Sequence, residues 1–275
     1  MSEIVPVSRY LTEEEKGLSR SLYEAVFSED TKKFVDYYYQ YKTKDNEILV
    51  LEEEGQIVSM LHLNPYMMIV NGYEVKSSYI VAVATHKEYR HRGYMRLLLE
   101  QALKDMAGRK MPFTFLMPAS ESIYAPFDFV WICPYTTLPR QVEQMDAEGQ
   151  NLYLASQYQL FCKRDARYME NREAEQRAEE GESPEGKIPP YMARITDVCR
   201  MLSMVNSFQK RELYLHVKDP IIESNDGYFC WESSREYSRA EKLTEIPERI
   251  DMELTIGELT SMIFQSFRSC LSELV

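Results

Sequence analysis

The chain has 275 residues, enough for two modest domains with a sizeable core. It is 44% hydrophobic and 28% charged, carries a formal net charge of -12, and has no apolar run of about 18 residues. These numbers exclude a transmembrane helix and argue against a nucleic-acid partner, while the acidity serves solubility and equally favours cationic ligands such as an amine. The five cysteines, Cys133, Cys162, Cys199, Cys230 and Cys270, are scattered, and no pair has metal-ligand spacing. A reduced, cytoplasmic protein without a metal site is expected. The opening stretch MSEIVPVSRYLTEEEK has neither a basic n-region nor an apolar h-region, so no secretory signal is expected.

Thr12-Glu13-Glu14-Glu15 has the form of a capping box, which predicts a helix with Thr12 as N-cap and Leu18, Leu22, Val26 and Phe27 on its apolar face. A second helix is predicted over Thr31 to Tyr41. Its Tyr37, Tyr38, Tyr39 and Tyr41, with Asp36 and Asp45 nearby, would suit a cation, but packing is the preferred reading of these tyrosines. Glu47 to Glu53 and Gln56 to Leu63 read as strands around a turn at Gly55. Pro65 interrupts, Tyr66 to Val70 resumes, Asn71-Gly72 is a hairpin signal, and Tyr73 to Thr85 is the next strand.

That strand leads into the most informative stretch, YIVAVATHKEYRHRGYMRLLLEQALKDM from Tyr79 to Met106. After the strand comes a basic loop, Arg90-His91-Arg92-Gly93. A helix follows, with Met95, Leu98, Leu99, Ala102, Leu103 and Met106 at spacings of three and four. Helix-start N–H groups lack intrahelical partners, and the helix dipole favours an anion there. Gly93 allows close backbone approach, and two guanidinium groups can neutralise a pyrophosphate. Arg90-His91-Arg92-Gly93-Tyr94-Met95 resembles the pyrophosphate loop of the GNAT acetyltransferases, (Gln/Arg)-x-x-Gly-x-(Gly/Ala). Val81, Ala82 and Val83, continuing to Thr85, resemble the family strand whose backbone holds the pantetheine arm. Met95 stands where Gly or Ala is common. A larger apolar residue followed by Arg96 is similar instead to one branch, the enhanced intracellular survival proteins.

The resemblance implies an α/β (α+β) fold with a GNAT-type mixed sheet and a central helix after the cofactor strand, acetyl-CoA as cofactor, and an amine acceptor. Beyond the helix, Phe113 to Met117 reads as a strand, Ser120 to Ala125 as a helical turn, and Phe129 to Leu138 as another strand. Acetyl transfer needs a base for the amine proton and an acid for the departing thiolate. Ile123, Tyr124 and Phe127 are similar to an Ile-Tyr-x-x-Phe segment of the survival proteins, which implies that Tyr124 is the general acid. Most of the 20 tyrosines must be packing residues, and position alone singles out Tyr124. The same resemblance implies that the terminal carboxylate, here Val275, acts as base. Glu121, if partly buried, is a local alternative. His62 and His86 are weaker candidates, and His91, between two arginines, would be neutral or used on phosphate.

Asn151 to Glu182 is strongly charged and reads as one solvated helix, ended by Gly181, Pro184, Gly186, Pro189 and Pro190 as a linker. Tyr191 to Ile195 opens a final unit with strands at Glu212 to Val217, Gly227 to Trp231 and Met252 to Ile256, and an amphipathic helix over Ile256 to Leu274. In pattern and order it resembles the sterol carrier protein-like domain that ends the survival proteins. Its apolar face could equally pack on the first domain. The expected division is 1–150 as GNAT domain, 151–190 as helix and linker, and 191–275 as the smaller α+β domain.

The leading reading is an acetyl-CoA-dependent N-acetyltransferase acting directly on a primary amine, in a small molecule or a peptide. A non-catalytic binder of CoA or an apolar ligand is the alternative. A third reading is a subunit that forms a homo-oligomer through its C-terminal part.

Overall fold

The computed structural model describes residues 6–178 and 188–274. The Thr12 box forms only in part. Glu15 Oε2 accepts from the Thr12 N–H at 3.0 Å but is also taken by Arg9 at 2.6 Å. The first regular helix therefore starts late, after a short 3-10 turn, as α1 (Arg20–Val26). α2 (Lys32–Gln40) is capped by Thr31, whose side chain accepts from the Phe34 N–H.

β1 (Val7–Tyr10), β2 (Glu47–Glu53), β3 (Gln56–Val70) and β4 (Tyr73–Thr85) form an antiparallel run. Pro65 does not break β3. It lies just past Leu63, where β2 stops pairing and β3 is locally an edge, the position a strand proline tolerates. Asn71 (φ 48°) and Gly72 (φ 83°) make the expected left-handed hairpin turn.

α3 (Tyr94–Gly108) covers the sheet with Leu98, Leu99, Ala102, Leu103 and Met106 buried, the face its periodicity predicts. β5 (Phe113–Leu116) then runs parallel to β4, followed by α4 (Glu121–Tyr124) and β6 (Val130–Cys133), shorter than expected. The charged segment expected as one helix is broken. α5 (Arg140–Glu143) precedes α6 (Ala147–Gln157), then a short strand β7 (Leu160–Cys162) and α7 (Ala166–Ala178). The end of the expected helix, with Gly181, Pro184 and Gly186, lies outside the described residues.

β8 (Tyr191–Ile195) inserts between β5 and β6, giving the order β1-β2-β3-β4-β5-β8-β6. Next come α8 (Val198–Leu202), β9 (Arg211–Lys218), β10 (Gly227–Ser233), β11 (Ser238–Lys242) and β12 (Met252–Thr255). These strands form a second sheet in the order β11-β10-β9-β12. α9 (Ile256–Phe264) has the capping box Thr255/Glu258 and ends ten residues before Leu274. The chain then returns to the first sheet, where β13 (Ser269–Cys270) lies parallel to β7, which itself pairs with β3. Leu271 bridges to Tyr135. One hydrophobic core runs through both sheets, and the Phe264 ring of α9 packs edge-on against Phe113 of β5 at 5.2 Å. The apolar face of the C-terminal unit does pack on the first.

Candidate active site

Within β3 and β4 the pairing goes from Met60–Ala84 to His62–Val81, so β4 holds one extra residue. Ala82 carries the bulge at φ 51°, a conformation alanine adopts only where its surroundings hold it. On the other side of β4, only Tyr79–Phe115 pairs with β5. The two parallel strands therefore diverge from that pair, and Ile80 to Thr85 have no β5 partner. This places Val81, Ala82 and Val83 along one wall of a wedge with backbone polar groups to offer.

The basic loop closes the open end of β4. Arg90 Nε donates to the Thr85 carbonyl at 3.2 Å. Arg92 donates to the Glu88 carbonyl at 3.2 Å, lies 3.5 Å from Glu53 and stacks over the Tyr89 ring at 4.7 Å. Tyr94 also donates to Glu53, which raises its pKa. Glu53, which sequence reading did not single out, thus braces the loop and competes with any anion for Arg92. His91 (φ 65°) and Gly93 (φ 81°) are both left-handed, so the backbone is concave ahead of α3. Gly93 is the N-cap, no side chain caps the helix, and the space where its Cβ would stand is open. Met95 is half-buried against the core. A loop with uncapped helix N–H groups, two exposed guanidinium groups and no side chain at Gly93 fits a pyrophosphate.

At the narrow end of the wedge, Tyr124 is 7% exposed, its ring 5.9 Å from Phe129. Burial pushes its phenol up to about 12, so the hydroxyl keeps its proton at neutral pH. Arg96 of α3 stacks on Phe127 at 4.7 Å, and buried Arg194 donates to the Phe127 carbonyl at 2.7 Å. The Tyr124 segment is thus held from both sides. The C-terminal segment arrives at the same place. Tyr79 Oη donates to the Leu274 carbonyl at 3.2 Å and Tyr191 Oη to the Glu273 carbonyl at 2.5 Å. Val275 lies outside the described residues. Glu121 is exposed at the start of α4, not partly buried as the local alternative expects. His62 is buried in packing with Tyr38 and Tyr23, away from solvent. Tyr37 and Tyr38 are core residues, as the packing reading expects.

Residues 8–132 match the model of the acetyltransferase (GNAT) domain. The chain carries a GNAT acetyltransferase domain. Residues 198–270 match the sterol carrier protein domain. The GNAT match makes the protein an acetyltransferase with acetyl-CoA as donor. Among solved structures, a conserved protein of unknown function from Enterococcus faecalis V583, described as a probable N-acyltransferase, is similar at TM-score 0.68 with 13% identity. The match covers 94% of this chain and 89% of that one. Eis1 from Mycobacterium abscessus is similar at TM-score 0.68 and 12% identity, with the same coverage of 94% and 89%. A GCN5-related N-acetyltransferase from Anabaena variabilis gives 0.65 and 15%, covering 93% of this chain and 89% of that one. At such identities these neighbours speak for the fold. No curated protein matches the sequence. No helix among the described residues is long and apolar enough to cross a membrane.

One more feature adjoins the GNAT wedge. A cleft of about 470 Å³ opens beside Asn64 and Tyr66 of β3 and is bounded by Lys42, Asn46, α7 and Glu273. Asn64 pairs across the strands with Tyr79, and the Tyr66 ring lies 6.4 Å from Tyr79 and 6.1 Å from Phe115. Sequence reading passed over Asn64, although a polar residue among the buried positions of β3 was a usable signal.

Proposed function

We propose that the protein is an N-acetyltransferase of the enhanced intracellular survival branch that moves an acetyl group directly to a primary amine. The observation that carries this reading is the divergence of β4 from β5 at Tyr79–Phe115, with the bulge at Ala82 on one wall and the Arg90–Gly93 loop at the open end. Acetyl-CoA supplies the activated acetyl group. Arg90, Arg92 and the N–H groups after Gly93 bind its phosphates, aided by His91, Tyr94 and Met95 as the frame of the loop. The backbone of Val81, Ala82 and Val83 holds the pantetheine arm. Tyr124 keeps a proton for the departing sulfur, supported by its burial and by the absence of a competing hydrogen bond to its hydroxyl among the described residues. The carboxylate of Val275 takes the amine proton. What supports this is the anchoring of Glu273 and Leu274 at the apex of the wedge. Glu121 is the alternative base. In this proposal residues 1–150 do the chemistry, 151–190 connect, and 191–275 deliver the chain end.

Titration calorimetry with acetyl-CoA tests the binding half. The intact protein should bind in the micromolar range, and the Arg90→Ala, Arg92→Ala variant at least about tenfold more weakly, since each lost charge-assisted contact costs roughly 1.5–3 kcal/mol. Tyr124→Phe tests the chemical half: kcat should fall by about 10²-fold or more with acetyl-CoA affinity unchanged. Unchanged turnover in Tyr124→Phe removes the general-acid role, and no binding to the intact protein removes the reading altogether.

A further inference from the structure

The cleft beside Tyr79 contains polar atoms that the described chain does not satisfy. Both amide atoms of Asn64 and the carboxamide oxygens of Asn46 and Asn171 are buried without a hydrogen-bond partner. Asn46 and Asn64 are each 1% exposed. The oxygens are held in place from behind: Asn46 Nδ2 donates to Tyr38 at 3.2 Å, and Asn171 Nδ2 to Asp45 at 3.1 Å. An unsatisfied buried polar group costs roughly 1–3 kcal/mol, and folded proteins seldom keep several together without a purpose. Three acceptors and one donor converging on one cleft describe a place for something that brings N–H groups and an acceptor of its own.

Charge narrows the choice. Arg167 pairs with Asp45 at 2.9 Å, Arg172 with Glu175 at 3.3 Å, and Glu273 with Arg164 at 3.1 Å, so most of the charged lining is already matched. Lys42 is different. It is 7% exposed, its ammonium meets the Tyr66 hydroxyl at 3.0 Å and the Tyr66 ring at 5.1 Å, and no carboxylate among the described residues stands within ion-pair distance. Burial lowers its pKa, and an arriving carboxylate would restore its charge. In a chain of net charge -12, a cleft that keeps a buried cation in reserve is not shaped for a polycation.

We propose that this cleft takes the acyl acceptor as a compact zwitterion, a free amino acid or short peptide, with Lys42 on its carboxylate and the Asn46, Asn64 and Asn171 oxygens on its amine. That it is the acceptor rests on the acetyltransferase reading; that it binds an amino-carboxylate does not. The cleft adjoins the Tyr79–Phe115 apex, where the acetyl group is to be delivered, and its volume suits one or two residues.

The test uses the full chain, with and without CoA, and pairs each free L-amino acid and each glycyl dipeptide with its C-terminal amide. Ligand-observed NMR finds binders and calorimetry measures them. At least one acid should bind with its amide about tenfold weaker or worse, and Lys42→Met should weaken the acid about tenfold while moving the amide less than about twofold. Asn171→Leu, at the rim on α7, should weaken acid and amide alike and serves if Lys42→Met does not fold. No binder, or acid and amide bound equally, overturns the proposal and leaves a water-filled cleft. Acetyl-CoA titrated into the same samples separates the two readings. Amino-acid binding without acetyl-CoA binding sinks the acetyltransferase and spares the cleft, and the converse sinks only the cleft.

Discussion

His62 shows how far a single residue can be read in advance. As a lone histidine on a strand it was a weak candidate base, and the structure gives it a packing role. It is fully buried on β3, with Nδ1 2.8 Å from the Tyr38 hydroxyl and Nε2 without a partner. Burial first, and the Lys16 charge second, lower its pKa from 6.5 to about 3. The folded chain therefore keeps it neutral where an unfolded chain would protonate it. The stabilisation is complete above pH 6.5 and is lost as the pH falls toward 3. His62→Gln, which retains a partner for Tyr38, should remove that dependence. Between pH 7 and pH 4 the wild type should lose about 3 kcal/mol more than the variant in urea unfolding, from 1.36 kcal/mol per pH unit. Parallel losses would show that water reaches the ring. Other residues were less legible. Tyr124 was singled out by position, and Asn64 offered only its polarity among buried positions, whereas the brace Glu53 belongs to no local pattern, because its partner Tyr94 comes from another element.

At the scale of elements, local periodicity placed β2, β4 and α3 closely and failed where tertiary contacts take over. β4 was legible over Tyr73 to Thr85, but its bulge was not, since alanine carries no signal for a positive φ. The apolar spacing from Ile256 continues by chance through Cys270 and Leu271, yet the helix stops at Phe264 because the following residues are claimed by the first sheet. What claims them is an ion pair. Arg164 and Glu273 are 0% and 1% exposed, and Ser272 and Tyr168 complete the network at 2.9 Å each. Glu273→Ala leaves a buried guanidinium unmatched and should cost about 3–5 kcal/mol. Adding Arg164→Met should recover most of that loss, since removing both charges leaves none to desolvate. Chemical denaturation of the three variants checks it, and a single-variant cost below about 1 kcal/mol would mean that the pair is solvated. If the base is the chain end, Glu273→Ala should also lower kcat more than it raises the KM for acetyl-CoA.

Across the whole molecule, the sequence reads as a GNAT part and a sterol carrier-like part joined by a proline-rich link. It could not show that β8 and β13 return to the first sheet, because pairing between distant strands leaves no mark on local pattern. The shared core has a consequence at high pH. Tyr38, Tyr79 and Tyr191 are buried, Tyr66 and Tyr168 half-buried at the cleft, and burial is the leading cause that raises the pKa of each. An unfolded chain ionises its tyrosines near pH 10. The stabilisation from keeping these phenols neutral is therefore complete below about pH 10 and is lost as pH rises beyond it. Exposed tyrosines should titrate first, without structural change. The buried set should titrate only as the fold is lost. With Trp131 of β6 replaced by Phe, Trp231, in β10 and 8% exposed, reports on the second sheet, while the phenols report on the first. Because Phe113 and Phe264 join the two sheets in one core, the tryptophan fluorescence change, the second wave of phenolate absorbance and the loss of circular dichroism should coincide. Two separated transitions would show that the sterol carrier-like part unfolds alone, and the Glu273–Leu274 segment would then have to hold its place at the wedge without it.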